Sequence, residues 1–316
     1  MNEARIKSEA QKYLKKVSPS IISQVEVENK NYMTKGYPAK VLGYVFLGIA
    51  FLLFFIFGFS FNSVLLIFAA IALAIGLLCV LVGLKSVNKS VMFKGCHEIA
   101  RVVLNNGSFS YKHCDIKYFK EVPFFSSGNL FESEGELQGT YRGINVRLQD
   151  LSVTRLIHNS NNTTDTEIVF DGVVARVSPL NKKIDSQILV IENRFSNAIF
   201  SLLKQENKCE MEDENFNKTY DVFSTSQHDC FYILTPQVIQ KLQELANYFQ
   251  GKIDIRITSN EILFCVNGMF LKVTEFEYED VTTYFIKRIE KILSLLDIIN
   301  VFNLTDKFYV EEKQEG

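Results

Sequence analysis

VLGYVFLGIAFLLFFIFGFSF (residues 41–61) and VLLIFAAIALAIGLLCVLVGL (residues 64–84), joined only through Asn62 and Ser63, decide how this chain is built. More than forty consecutive residues carry no charged side chain. Each half matches the roughly 20 apolar residues needed to cross a hydrocarbon core of about 30 Å, so the pair reads as a transmembrane helical hairpin. A secretory signal peptide has a shorter apolar core near the N-terminus, whereas these runs follow forty mostly polar residues. A helical hairpin in a soluble core keeps a polar stripe for water, and neither half has one.

Basic residues near the spans set the orientation, because cytoplasmic flanks carry the excess of Lys and Arg. Residues 1–40 hold eight bases (Arg5, Lys7, Lys12, Lys15, Lys16, Lys30, Lys35, Lys40) against four acids, and Lys85, Lys89, Lys94 and Arg101 follow the second span. The connection between the spans holds none, so both termini are expected in the cytoplasm of a cell (inner) membrane. Ala72, Gly76, Cys79 and Gly83 form a small-residue stripe on the second span, a pattern that lets helices approach closely in lipid. It serves packing on the first span or homo-oligomer formation through Ala72, Gly76 and Gly83, and the former is favoured. No ionisable residue interrupts the spans, which argues against a proton relay or a pore and for an anchor.

The chain thus divides into a basic flank (1–40), the hairpin (41–84), a juxtamembrane helix (85–104) and a cytoplasmic α+β domain (105–316) with mostly antiparallel strands. In the flank Ile6, Ala10, Tyr13, Leu14 and Val17 recur at helical spacing up to Pro19, with Lys12, Lys15 and Lys16 beside the stripe. That is either an amphipathic helix on anionic lipid or a helix packed on the cytoplasmic domain. The residues after the hairpin sum to a net charge of −6, which disfavours nucleic acid as a partner. Six scattered cysteines, with no Cys-x-x-Cys pair, read as reduced cytosolic thiols.

Beyond Asn105, Asn106 and Gly107 the pattern changes to short β-type runs. Residues 139–153 alternate Ile144, Val146 and Leu148 with polar neighbours, as a half-buried strand does; residues 168–177 contain Asp171-Gly172, a hairpin-turn pair; residues 187–192 are a further strand. A polar loop (159–166) and a short helix (194–203) are expected around them. Thr235-Pro236 supplies an N-cap and a proline at the first helical position, after which Val238, Leu242, Leu245 and Phe249 face one way. Residues 252–273 read as three strands turning at Ser259-Asn260 and Asn267-Gly268. The last helix (280–302) places Phe285, Ile289, Ile292, Leu296 and Ile299 in a seam, a second route to a homo-oligomer but more readily a core contact.

Linear motifs for chemistry are absent: there is no phosphate-binding glycine loop, dinucleotide fingerprint, zinc-protease helix or nucleophile elbow. His113 and Cys114 are adjacent, and neighbours on a strand point to opposite faces, so they do not share a proton. The acidic group Glu210, Glu212, Asp213 and Glu214 lacks the glycine spacing of a calcium loop. No catalytic, cofactor-binding or metal residue is assigned, no cofactor is expected, and enzyme activity is disfavoured without being excluded. The one residue set with a binding role is Lys12, Lys15 and Lys16 at the membrane surface.

The arrangement resembles a bacterial two-span membrane-protein family catalogued as domain of unknown function thirty-one thirty-seven. The resemblance is carried by FSSGNLF (125–131), GTYRG (139–143) and EDENFNKTYDVFSTSQHDCFYILTP (212–236). The last block departs from the family pattern at Phe231, where an arginine is expected before Tyr232. The resemblance implies an α+β cytoplasmic domain and brings no activity or catalytic residue. The function expected is a membrane-anchored binding or scaffold module for an unidentified protein partner, the alternatives being a membrane-associated enzyme without a linear motif or a lipid- or amphiphile-binding domain.

Overall fold

The computed structural model describes residues 3–31, 34–35, 37–60, 63–85, 89–111, 114–158, 164–179, 184–193, 207–249, 251, 253–268, 271 and 280–304. It is an α+β chain in two compact units. One comprises residues 18–95 and 274–284, the other residues 1–17, 96–273 and 285–316.

The first unit is helical: α2 (Pro19–Asn31), α3 (Tyr37–Ser60) and α4 (Ser63–Lys85). Helices α3 and α4 contain windows of 21 and 19 residues that are long and apolar enough to cross a membrane. Only 11% and 17% of the residues in those windows are buried. Phe51, Phe55 and Leu78 are among the apolar side chains left exposed, which a helix in a water-soluble core would cover. The two helices meet along small residues, with Gly43, Ala50, Ala69, Ala72 and Gly76 buried. A Cβ on Gly43 would lie 2.6 Å from Val80 Cγ2 and 2.9 Å from the Gly76 carbonyl oxygen. The stripe at Ala72 and Gly76 is therefore used within the hairpin, while the surroundings of Gly83 lie outside the described residues.

The second unit is built on nine strands: β1 (Asn105–Ser110), β2 (Leu130–Tyr141), β3 (Ile144–His158), β4 (Thr164–Ser178), β5 (Ile188–Glu192), β6 (Asn207–Cys209), β7 (Tyr220–Ser224), β8 (Ile253–Ile257) and β9 (Ile262–Asn267). They form one sheet in the order β1-β2-β3-β4-β9-β8-β5-β7-β6. Every pairing between its described strands is antiparallel. Alternation along β3 sends Val146 and Leu148 to one face, and Asn145, Arg147 and, further along, Leu151 and Val153 to the other.

On the Leu151 face a short helix α6 (Ile116–Lys120) and a 3-10 turn (Pro123–Phe125) cover a core that includes Phe119, Phe124, Phe125, Phe131, Phe170 and Phe223. Each fully buried phenylalanine contributes about 1.5–3 kcal/mol. Helices α5 (Lys89–Val103) and α10 (Val281–Leu296) meet elsewhere in the unit, where the Arg288 guanidinium donates to Cys96 Sγ at 3.1 Å. The remaining helices are α1 (Glu3–Leu14), α7 (Glu214–Thr219), α8 (Gln227–Ile233), α9 (Pro236–Tyr248) and α11 (Ile298–Val301). Ile6, Ala10 and Val17 of the flank stripe are buried, and Arg5 pairs with Asp297 at 3.1 Å. The residues of the C-terminal seam, Phe285, Ile289, Ile292, Leu296 and Ile299, are all buried within the chain.

Several local expectations change. Residues 139–153 are a hairpin: Arg142 and Gly143 occupy left-handed conformations (φ 52° and 83°) and connect β2 to β3. Asp171-Gly172 makes no turn but lies inside β4, opposite Ser152 and Leu151. Gly172 is needed there because a Cβ would fall 2.0 Å from the Val266 carbonyl oxygen of β9. Asn105, Asn106 and Gly107 end α5 and also begin β1, with Asn106 at φ 52°. Pro19 does not simply stop a helix; it opens α2. The C-terminal helix breaks at Asp297, which separates α10 from α11. Ser259-Asn260 does lie in the β8–β9 turn, where Thr258 N–H donates to Glu261 O at 3.0 Å. The helix expected at 194–203, most of the polar loop and most of the third strand of 252–273 lie outside the described residues.

Candidate functional site

Two concavities lie in the sheet unit. The first is an apolar cavity of about 440 Å³ lined by Met211, Glu212, Asp213, Phe231, Leu234, Pro236 and Ile239. Its walls come from three local structures. Asn217 holds the loop before α7, accepting from Met211 N–H at 3.0 Å and donating to Met211 O at 2.7 Å. Asp213 caps α7, accepting from the N–H groups of Asn215 and Phe216 at 2.8 and 2.9 Å. Opposite, Ser226 caps α8 and Thr235 caps α9, so the chain turns sharply at Leu234 and Pro236. Phe231 lines the cavity and is 42% exposed.

Beneath this corner Cys209 and Cys230 are buried with their sulfurs 3.0 Å apart. Burial, and then the neighbouring Cys209, push the Cys230 thiol well above its ordinary range, which keeps it protonated and inert. On the same helix Asp229 accepts from Ser186 N–H (3.2 Å) and Ser186 Oγ (2.7 Å) and lies 3.4 Å from His228 Nδ1. Burial opposes ionisation of Asp229, but the Ser186 and His228 contacts outweigh it and its pKa is lowered. The carboxylate thus stands between serine and imidazole. A nucleophilic triad needs the imidazole in the middle, so the cluster fixes α8 to the segment before β5 and activates no hydroxyl.

The second concavity, about 500 Å³, is polar and opens on the Arg147 side of the sheet, bounded by Arg147, Arg176, Gln138, Asn145, Asp115 and Glu261 among others. Arg176 is held from two directions: its guanidinium lies 3.5 Å from the Tyr118 ring centroid and pairs with Glu261 at 3.2 Å. Tyr118 in turn donates to Glu261 at 2.5 Å. Burial, followed by that carboxylate, raises the Tyr118 pKa far above its ordinary value, so the phenol stays a donor.

The residues singled out from sequence fall as follows. Lys12, Lys15 and Lys16 are exposed on and just beyond α1, with Lys16 Nζ 5.1 Å from the Tyr13 ring. Of the acidic group, Asp213 is engaged as a helix cap, and no cluster of three metal-ligating side chains occurs among the described residues. His113 lies outside them, and burial pushes the Cys114 thiol up to about 11. Neither concavity was found by motif reasoning. The sequence signal for the polar one is the outward row at Asn145 and Arg147, which alternates with the buried Ile144, Val146 and Leu148.

The cavity lies within the stretch of chain that a family model matches. Residues 168–304 match the family described as "Protein of unknown function (DUF3137)". The matched stretch runs from β4 to just past the end of α11. This is the family the sequence resembles, with the match confined to that segment and leaving the hairpin and β1–β3 outside it. A crystal structure of the mycobacterial trehalose monomycolate transport factor A, TtfA, is similar at 11% identity over 64% of this chain and 94% of its own, with a TM-score of 0.35. No curated protein compared with the chain matches it.

Proposed function

We propose that this protein is a membrane-anchored binding module: α3 and α4 cross a cell (inner) membrane with both termini cytoplasmic, and the sheet unit presents the DUF3137 cavity to a protein partner. The observation that carries the reading is the make-up of that cavity. Its walls are apolar (Met211, Phe231, Leu234, Ile239), Glu212 and Asp213 also line it, and among the described residues no cation does. Its volume suits a guest of side-chain or small-ligand size. A partner segment that inserts a large apolar side chain flanked by lysine or arginine satisfies both the walls and the two carboxylates. An acyl carboxylate would instead meet two like charges. The basic flank supports the anchoring, since each of Lys12, Lys15 and Lys16 placed near anionic headgroups would add about 1 kcal/mol.

The test is photocrosslinking from a benzoylphenylalanine at position 231 of the full-length protein in intact cells. A discrete protein adduct that is lost on Glu212→Lys supports the reading. Adducts to lipid alone move the assignment to an amphiphile-handling domain, and a probe that yields no adduct removes the cavity from the account.

A further inference from the structure

The polar concavity shares no lining residue with the apolar cavity, and most of its lining precedes the residues that the family model matches. Its floor is ordered by strand register. Ser108, Gln138, Arg147 and Arg176 are successive cross-strand partners on β1, β2, β3 and β4, and Thr140, Asn145 and Ser178 form the next row. Cross-strand partners project to one face, so seven polar side chains stand in two parallel rows.

Two features mark this as more than solvated sheet surface. Arg147 and Arg176 are direct cross-strand partners, a like-charge juxtaposition that costs stability. Arg176 is answered by Glu261 at 3.2 Å, but Arg147 reaches Glu136 only at 4.0 Å. The buried Arg176 Nε has no hydrogen-bond partner among the described residues, although the rest of its guanidinium is clamped by Tyr118 and Glu261. At the rim β1 is bulged and places Asn106 in a left-handed conformation (φ 52°). Such bulges re-aim side chains beside sites.

The lining selects a ligand class by charge and by hydrogen-bond sense. Two guanidiniums (Arg147, Arg176) are matched by two carboxylates (Asp115, Glu261), so neither an anion nor a cation gains a net field. The wall has little hydrocarbon for an acyl chain or a large aromatic. What it supplies is fixed donors, fixed acceptors and amides and hydroxyls that do both. Adjacent hydroxyl groups on a sugar ring are donors and acceptors at once and suit that mixture. From this geometry we infer that the cleft binds a neutral polyhydroxylated ligand of one or two sugar rings, with Arg147 and Asn145 as its principal hydrogen-bonding groups and Arg176 as the prepositioned donor beneath them. The sugar is either free or the headgroup of a glycolipid, and the recognition chemistry is the same.

The experiment uses the full-length protein in nanodiscs free of glycolipid, because sugar-headed detergents would occupy the site. Saturation-transfer NMR is run with methyl glucoside and maltose, and separately with inorganic phosphate. Transfer to the sugars and none to phosphate is expected. Asn145→Ala and Arg147→Met, both at exposed positions, should each weaken binding about tenfold, the loss of one hydrogen-bonding group from a charged or paired site. Phe231→Ser should bind sugar unchanged, which separates this site from the apolar cavity. A parallel set of nanodiscs carrying diglucosyl diacylglycerol distinguishes the sources: competition by that lipid against maltose identifies a headgroup site, and absence of competition a free-sugar site. Transfer to phosphate in place of sugar, no transfer to either sugar, or sugar binding untouched by both cleft variants would overturn the inference.

Discussion

Gly172→Ala probes the pairing at the centre of the sheet, where the sequence pattern and the fold part company. The added methyl would lie 2.0 Å from the Val266 carbonyl oxygen and 2.9 Å from Phe170 Cζ. Carbon–oxygen contacts between strands normally sit at about 3.3–3.6 Å, so β4 and β9 would have to separate by more than about 1 Å. The obstacle is backbone, and Gly172 is partnered on both sides, by Leu151 of β3 and Asn267 of β9. Neither neighbour can swing away as a flexible side chain would. Overpacking of this kind costs about 1–3 kcal/mol, and the backbone clash puts Gly172→Ala at the upper end. For a unit of this size that loss lowers the melting temperature by about 6–12 °C. Thermal unfolding of the full-length protein in mild detergent, followed by tyrosine fluorescence, is the assay. Gly143→Asn is the control, since Gly143 has φ 83° with open space around it and asparagine tolerates that conformation. Were Gly172 in a two-residue turn, alanine would meet a φ penalty and no clash. A Gly172→Ala protein that melts within about 2 °C of the wild type would refute the β4–β9 registry proposed here.

Other perturbations have defined outcomes. Gly43→Val should lower the thermal stability of the hairpin in detergent, because its Cβ would lie 2.6 Å from Val80 Cγ2; an unchanged melting curve would separate α3 from α4. Asp213→Ala removes the α7 cap and should cost about 1 kcal/mol in chemical denaturation, with calcium giving no stabilisation of either protein. Asp254 has its pKa raised to about 6, mainly by burial, with the Glu192 N–H opposing and the Glu192 carboxylate adding to the rise. A carboxyl whose folded pKa exceeds its unfolded value binds its proton more tightly when folded, so stability is highest below about pH 4 for this group and falls as pH rises through about 6. Asp254→Asn should flatten that fall and leave the protein more stable than wild type at pH 8, whereas an unaltered pH profile would place Asp254 in water.

The legible parts of the sequence were those with one strong local signal. Forty uncharged apolar residues, an Asn-Asn-Gly stop after α5 and a Thr-Pro start for α9 each correspond to structure. What misled were signals with two physical uses. Asp171-Gly172 is a turn pair by composition, but glycine also permits close backbone approach, and that use prevails. Arg142-Gly143 has the weaker turn composition yet makes the hairpin. Long-range assembly was illegible for a different reason: the cavity joins residues 211–213 to 231–239 through three helix caps, and the polar rows join four strands through register. Neither leaves a linear motif.

The anchored topology is tested most directly by accessibility in intact cells, using cysteines introduced one at a time at exposed Ser63 and exposed Arg142 in a background in which all six natural cysteines are replaced. The account predicts that an impermeant maleimide labels position 63 and leaves position 142 unlabelled until the cells are opened. Labelling of position 142 in intact cells, or recovery of the protein in the soluble fraction after alkaline extraction, would contradict it.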